Sequence, residues 1–171
     1  MKFDKNQVIY QAKSSGLRKS QVQINLSPAY NRNTTNEEIE KSLEKKWNEK
    51  CKENPRLYGQ SKFRFHSMVE AADGKVLYLC SSYLISTRSI NTDKRSIELN
   101  CGLSSYKDFV GTNLNPAAVE LADNHDYLSD IIGVNGILRT SDNFIVITKR
   151  AEWVGEHPGM LGTRISTFSS N

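Results

Sequence analysis

The stretch GILRTSDNFIVITKR, residues 136–150, sets the tightest limit on what this chain can fold into. Two short apolar runs flank a polar turn at 140–143, and the second run ends in Lys149 and Arg150. That is the pattern of a β-hairpin. A lone hairpin is marginal in water, so its strands must join a larger sheet. Little sequence follows to complete one, and from Gly162 onward neither the strand nor the helix period appears. The hairpin is therefore expected to leave an apolar face and an unpaired edge.

Further strands must come from earlier in the chain. QVIYQA (6–11) and VQINL (22–26) read as short strands separated by SSGLRKS, and SPAYNRNTTN reads as a loop. A helix follows. Thr34 with Glu37, and Thr35 with Glu38, have capping-box spacing, and Ile39, Leu43, Trp47 and Cys51 recur every fourth residue on one face. Asn54-Pro55 should stop it, because proline disfavours helical geometry in the residue before it. FRFHSMVEA alternates, with Phe63 and Phe65 on one side and Arg64 and His66 on the other, as in a half-buried strand. Ala72, Asp73 and Gly74 turn it back into KVLYLC. The polar stretch 81–96 has no period and is expected to be an exposed loop, before a second strand-like run, IELNCGL. Asn115-Pro116 can cap and begin a helix over PAAVELADN.

The composition is that of a globular α/β domain: 37% hydrophobic, 25% charged, with a net charge of +4. That charge permits an anionic ligand but lacks the clustered excess of a dedicated nucleic-acid binder. The apolar run from Val76 is broken by serines and too short to span a bilayer, and the start lacks the apolar core of a signal peptide. Cys51, Cys80 and Cys101 form no CxxC pair and are odd in number. Reduced thiols in an intracellular, cytoplasmic protein are the simplest account.

Generic site motifs are absent. There is no GxxxxGK[ST] or GxGxxG loop, no HExxH and no GxSxG elbow. His66, His125 and His157 are far apart, which argues against zinc. Glu37, Glu40 and Glu44 share a helical face that magnesium can use, but lysines at 41, 45, 46 and 50 make a solvated, ion-paired face the better reading. KCKENPRLYGQSKFRF (50–65) interleaves basic and aromatic residues and can grip a phosphate-bearing ligand with a stackable ring. An ordinary loop and strand fit that stretch equally well.

Four stretches in succession, QINLSPAYNR, PRLYGQSKFRFHS, GLSSYKDFVGTN and YLSDIIGVNGILRTSDNFIVITKRAEWVGEHPG, resemble the Nudix-type UDP-glucose pyrophosphatases and cover most of residues 20–160. GLSSYKDFVGTN is the most specific of them. The resemblance implies an N-terminal α/β domain over 1–125, with an insertion near 81–96, and the first strands of a Nudix α/β/α sandwich over 126–171. It implies magnesium-dependent cleavage of UDP-glucose or UDP-galactose to UMP and a sugar 1-phosphate. The matching substrate-binding positions are Tyr58, Tyr106, Arg150 and, through its backbone, Gly155. An aromatic face can stack on uracil, a tyrosine hydroxyl can bond sugar or phosphate, and an arginine can neutralise diphosphate. His66 and Asp108 lie in matching segments and are expected to be structural.

The chain also departs from the family. After His157-Pro158-Gly159-Met160 it reads LGTRISTFSSN, with no Nudix box and so none of the glutamates that converge on magnesium, and Gly162 stands where the family has an aspartate. No catalytic residue, metal ligand or bound magnesium is therefore expected in these 171 residues. The leading expectation is a UDP-sugar pyrophosphatase relative that is itself inactive. The alternatives are a non-catalytic module binding uridine nucleotide sugars and a weak RNA-binding domain, the last suggested only by 50–65 and a pI near 8.9. The sequence gives no oligomeric state.

Overall fold

In a computed structural model, residues 16–72, 75–80, 96–133 and 136–163 are described. The expected strand at 6–11, the turn at 73–74, the 81–95 stretch and the tail from 164 lie outside them. The fold is mixed α/β. A four-stranded sheet runs in the order β1-β4-β2-β3, with β1 at Val22–Leu26, β2 at Ser61–Ala72, β3 at Lys75–Cys80 and β4 at Ser96–Ser105. β1 lies parallel to β4, while β2 is antiparallel to both β3 and β4. The helices are α1 (Glu37–Glu53), α2 (Tyr106–Gly111) and α3 (Pro116–Leu121). None of the described helices is long and apolar enough to cross a membrane.

Helix α1 forms where its apolar period predicts, with Ile39 and Leu43 buried and Asn54 as the C-cap. Its start corrects the expected capping box. Asn36 is the N-cap, and its side-chain oxygen accepts from the backbone N–H groups of Glu38 and Ile39. Ile39 packs with Ala118, Ala122 and Leu128, which docks α3 on α1. Gly111 of α2 meets Leu43 so closely that a Cβ there would lie 2.3 Å from Leu43 Cγ. Pro116 does open α3. The Asn115 side chain, instead of capping, donates to the Ser42 hydroxyl and the Gly111 carbonyl, tying α2 to α1.

Strand β2 alternates as expected as far as Phe65, and then His66 falls at a register shift, between the pairs Phe65–Cys101 and Ser67–Asn100. That bulge keeps Phe65 and Met68 on one face, in an apolar cluster with Ile97, Leu99, Val22 and Leu17. The more deeply covered face is the polar one, which the alternation alone does not reveal. Arg64 is fully buried there, and its guanidinium donates to the carbonyls of Leu128 (2.9 Å), Tyr30 (2.9 Å) and His125 (2.7 Å). A buried arginine is tolerable when its donors are satisfied in this way.

The late hairpin is present in a reduced form. Thr140 N–H donates to the Phe144 carbonyl, Val146 N–H donates to Leu138, and Arg139 bridges Ile145. Among the described residues, regular pairing here is confined to β5 (Thr148–Lys149) against β6 (Leu161–Gly162).

Candidate functional site

The segment 56–60 after α1, the start of β2, the start of α2, and Arg150 with residues 153–156 converge on one open cleft of about 660 Å³, its mouth included. Each wall is fixed by local chemistry. The Asn54 side chain, just past α1, donates to the Trp153 carbonyl (2.7 Å) and accepts from the Arg56 N–H (3.1 Å). Tyr106, first residue of α2, donates its backbone N–H to the Gln60 carbonyl (2.9 Å). Ser105 caps that helix by accepting from the Asp108 N–H. The Tyr106 ring stands edge-on to Trp47, 6.3 Å between centroids, and tilts against Phe109. On the opposite wall, Arg150 folds its own loop: Nε donates to the Glu156 carbonyl at 3.0 Å.

Gly155 packs directly on Tyr106. A Cβ at 155 would lie 2.2 Å from the phenolic oxygen, so the backbone approach needs glycine. The Tyr106 hydroxyl is pushed up to about 12 by burial, then by the charge of Glu156 and a hydrogen bond to it, with Arg150 opposing. At neutral pH it is therefore a donor. Among the described residues, twelve line the cleft, and three of them are cationic (Arg56, Lys62, Arg150) against one carboxylate (Glu156), a net charge of +2. Tyr58 and Trp153 offer exposed aromatic faces beside that charge. An electropositive cleft rimmed by aromatic rings suits an anion that carries a flat ring.

All four positions singled out in the sequence, Tyr58, Tyr106, Arg150 and Gly155, line this cleft, although they come from three separated segments. Arg56, Lys62, Trp153 and Glu156 line it as well and were not singled out. Arg56 and Lys62 lie within the basic-aromatic run at 50–65, where the signal was visible but unspecific. Trp153 and Glu156 follow Arg150 in AEWVGE, which has no periodicity to mark it.

The residues expected to be structural are so placed. Asp108 accepts from the Ser105 hydroxyl (2.6 Å) and from Arg32 (3.1 Å). Burial works against the Arg32 charge, but the hydrogen bond to Glu40 and the charges of Asp108 and Glu40 outweigh it, and its pKa is raised. His66 stacks on Tyr30 with centroids 4.9 Å apart.

Magnesium does not fit the described residues. Glu37, Glu40 and Glu44 pair with Lys41, Arg32 and Lys107 respectively, and no group of three His, Cys, Asp or Glu side chains converges among the described residues. The face that a metal would need is the ion-paired one.

No family model matches the chain. Related proteins do. It is 31% identical over 162 residues to human uridine diphosphate glucose pyrophosphatase NUDT22, covering 90% of this chain and 48% of that protein. The bovine protein of the same name is 32% identical, over 90% of this chain and half of its own length. Nudix hydrolase 9 of Arabidopsis thaliana is 27% identical over 157 residues, 85% of this chain and 45% of the relative. The chain is thus similar, over most of its own length, to proteins named as UDP-glucose pyrophosphatases and as a Nudix hydrolase. It spans about half the length of those it matches. A match over 90% of the chain takes in most of the residues that line the cleft.

Proposed function

We propose that the cleft binds a UDP-sugar and that this segment supplies the substrate-recognising part of a UDP-sugar pyrophosphatase. Tyr58 stacks on uracil, the Tyr106 oxygen accepts from a sugar hydroxyl while its own proton stays hydrogen-bonded to Glu156, Arg150 faces the diphosphate, and Gly155 contributes through its backbone. What supports this reading is the lining of one electropositive cleft by all four residues, together with relatives named for UDP-glucose pyrophosphatase activity. Residues 126–171 are read as the opening strands of the Nudix domain.

Cleavage of the diphosphate needs a group that activates water and neutralises developing charge, which in Nudix enzymes is a metal held by carboxylates. The described residues offer no such cluster, so no hydrolytic step is derived for them. Taken alone, these 171 residues bind without turnover. Titration calorimetry with UDP-glucose should show binding that does not depend on magnesium and is weakened by Arg150→Ala, and a UMP-release assay should show none with or without the metal. Absence of any UDP-glucose binding would remove the substrate assignment; magnesium-dependent UMP release would remove the claim of binding without turnover.

A further inference from the structure

Glu156 is the only carboxylate among the described residues that line the cleft, and neither the resemblance nor the relatives' names give it a role. The loop that carries it is folded on itself. Arg150 Nε donates to the Glu156 carbonyl at 3.0 Å, and the Arg150 N–H donates to the Met160 carbonyl at 2.9 Å. Asn54 ties the same loop to the end of α1 through the Trp153 carbonyl (2.7 Å). Held in this way, the Glu156 side chain accepts the hydrogen bond of the Tyr106 hydroxyl, and the adjoining Gly155 packs against that same phenolic oxygen. A phenol that gives its one proton to a carboxylate has only lone pairs left for a ligand, and the carboxylate is itself an acceptor. This corner of the cleft therefore offers acceptors and negative charge, while Arg56 and Arg150 belong to the cationic part of the lining.

We infer that Glu156 is a specificity-determining residue of this cleft: with the Tyr106 oxygen it forms an acceptor corner that takes a hydroxyl-bearing group beyond the diphosphate, such as a hexose, and turns away a further phosphate. The inference deepens the UDP-sugar reading and rests on it. A sugar hydroxyl can donate to either oxygen. A terminal phosphate, largely ionised at neutral pH, brings only acceptors and charge of the same sign. Acceptors left facing acceptors, and like charges brought together, discriminate because neither side finds a partner. A cleft lined by cations alone would rank the more highly charged nucleotide first. The carboxylate reverses that order.

The test is titration calorimetry of the full chain with UDP-glucose and UTP, using wild type, Glu156→Gln and Glu156→Asp. The buffer is free of magnesium, so that no metal masks the phosphate charge. Wild type should bind UDP-glucose more tightly than UTP. Glu156→Gln keeps an oxygen that can accept from Tyr106 but removes the charge. UTP should then bind on the order of tenfold more tightly, with a smaller change for UDP-glucose, so that the preference narrows or inverts. Glu156→Asp retains the charge and should retain most of the preference. Glu156→Ala serves the same comparison if Glu156→Gln does not fold. An unchanged ratio of the two affinities on loss of the charge overturns the assignment, whether both hold or both fall together, the second outcome making the residue structural. So does a wild type that binds UTP as tightly as UDP-glucose, which would leave the UDP-sugar site standing without this selectivity. A wild type that binds neither nucleotide removes the UDP-sugar reading and the inference with it.

Discussion

The phenolic oxygen of Tyr106 rests on the backbone of Gly155, where a Cβ would approach it to 2.2 Å and Leu57 Cδ2 to 3.0 Å. Tyr106 cannot easily step aside, because Trp47 and Phe109 flank its ring and Glu156 holds its hydroxyl. Gly155→Ala should therefore cost about 1–3 kcal/mol of stability, the usual range for overpacking, and weaken UDP-glucose binding. Adding Tyr106→Phe removes the clashing oxygen and should restore part of the stability lost by Gly155→Ala. Denaturant titration of the two single variants and the double variant measures that coupling, and strictly additive losses would show that the contact is not what fixes the wall.

Arg64 binds three segments to the sheet through the carbonyls of Tyr30, His125 and Leu128. Replacing it with Met leaves those acceptors without their donor in a buried setting. Each such group costs about 1–3 kcal/mol, so the total should exceed about 3 kcal/mol. Arg64→Lys should recover little, because a single ammonium does not reproduce the guanidinium fork. Urea unfolding checks both, and a loss below about 1 kcal/mol for Met would mean that the carbonyls find other donors.

His66 gives the fold an acid-sensitive point. Its pKa is lowered, first by burial and then by the charge of Arg64, with Asp126 opposing. The unfolded chain then binds the proton more readily than the folded one. Its stabilising contribution is complete above the ordinary value of 6.5 and is lost as pH falls from there through the lowered folded value. The urea midpoint should drop as pH falls below about 6.5, and the drop should be smaller in His66→Gln. Parallel pH profiles for the two proteins would assign the acid sensitivity to other groups.

The elements readable in advance were those with a strong local signal. The four-residue period of Ile39 and Leu43 gave α1, and Asn54-Pro55 gave its end. Its start was misplaced because Thr34, Thr35 and Asn36 are all competent caps, and only the chain's path chooses among them. The alternation of β2 was read correctly, but which face is covered depends on segments 27–31 and 125–130 packing over Arg64, a non-local fact. Asn115 shows the same limit: its position before Pro116 was legible, and its turn toward Ser42 was not. For the cleft, Tyr58, Tyr106, Arg150 and Gly155 came from resemblance in three of the four stretches. Lys62 and Glu156 needed the geometry, because a lysine in a strand and a glutamate in a loop have no pattern of their own.

The late hairpin carries the most exposed apolar surface of any described segment. Ile137 and Phe144 are each 70% exposed, Leu138, Ile145 and Ile147 are also open, and Leu161 of the facing β6 strand is as exposed as the first two. The pairing beneath them is thin, with one bridge at Arg139 and Ile145 and the short β5–β6 ladder. Apolar side chains gathered on a weakly paired edge attract dyes, partners or other copies. The 171-residue protein should therefore bind a hydrophobic dye in its native state and self-associate as concentration rises. Changing Phe144 and Ile147 to Asp together should reduce both, with little loss in thermal midpoint, because neither side chain is buried and surface changes away from special features cost within about 0.5 kcal/mol. Dye fluorescence and sedimentation of the double variant decide the matter. Unchanged dye binding would place the exposed surface elsewhere, and a large fall in thermal midpoint would mean that these two residues support the fold rather than an open edge.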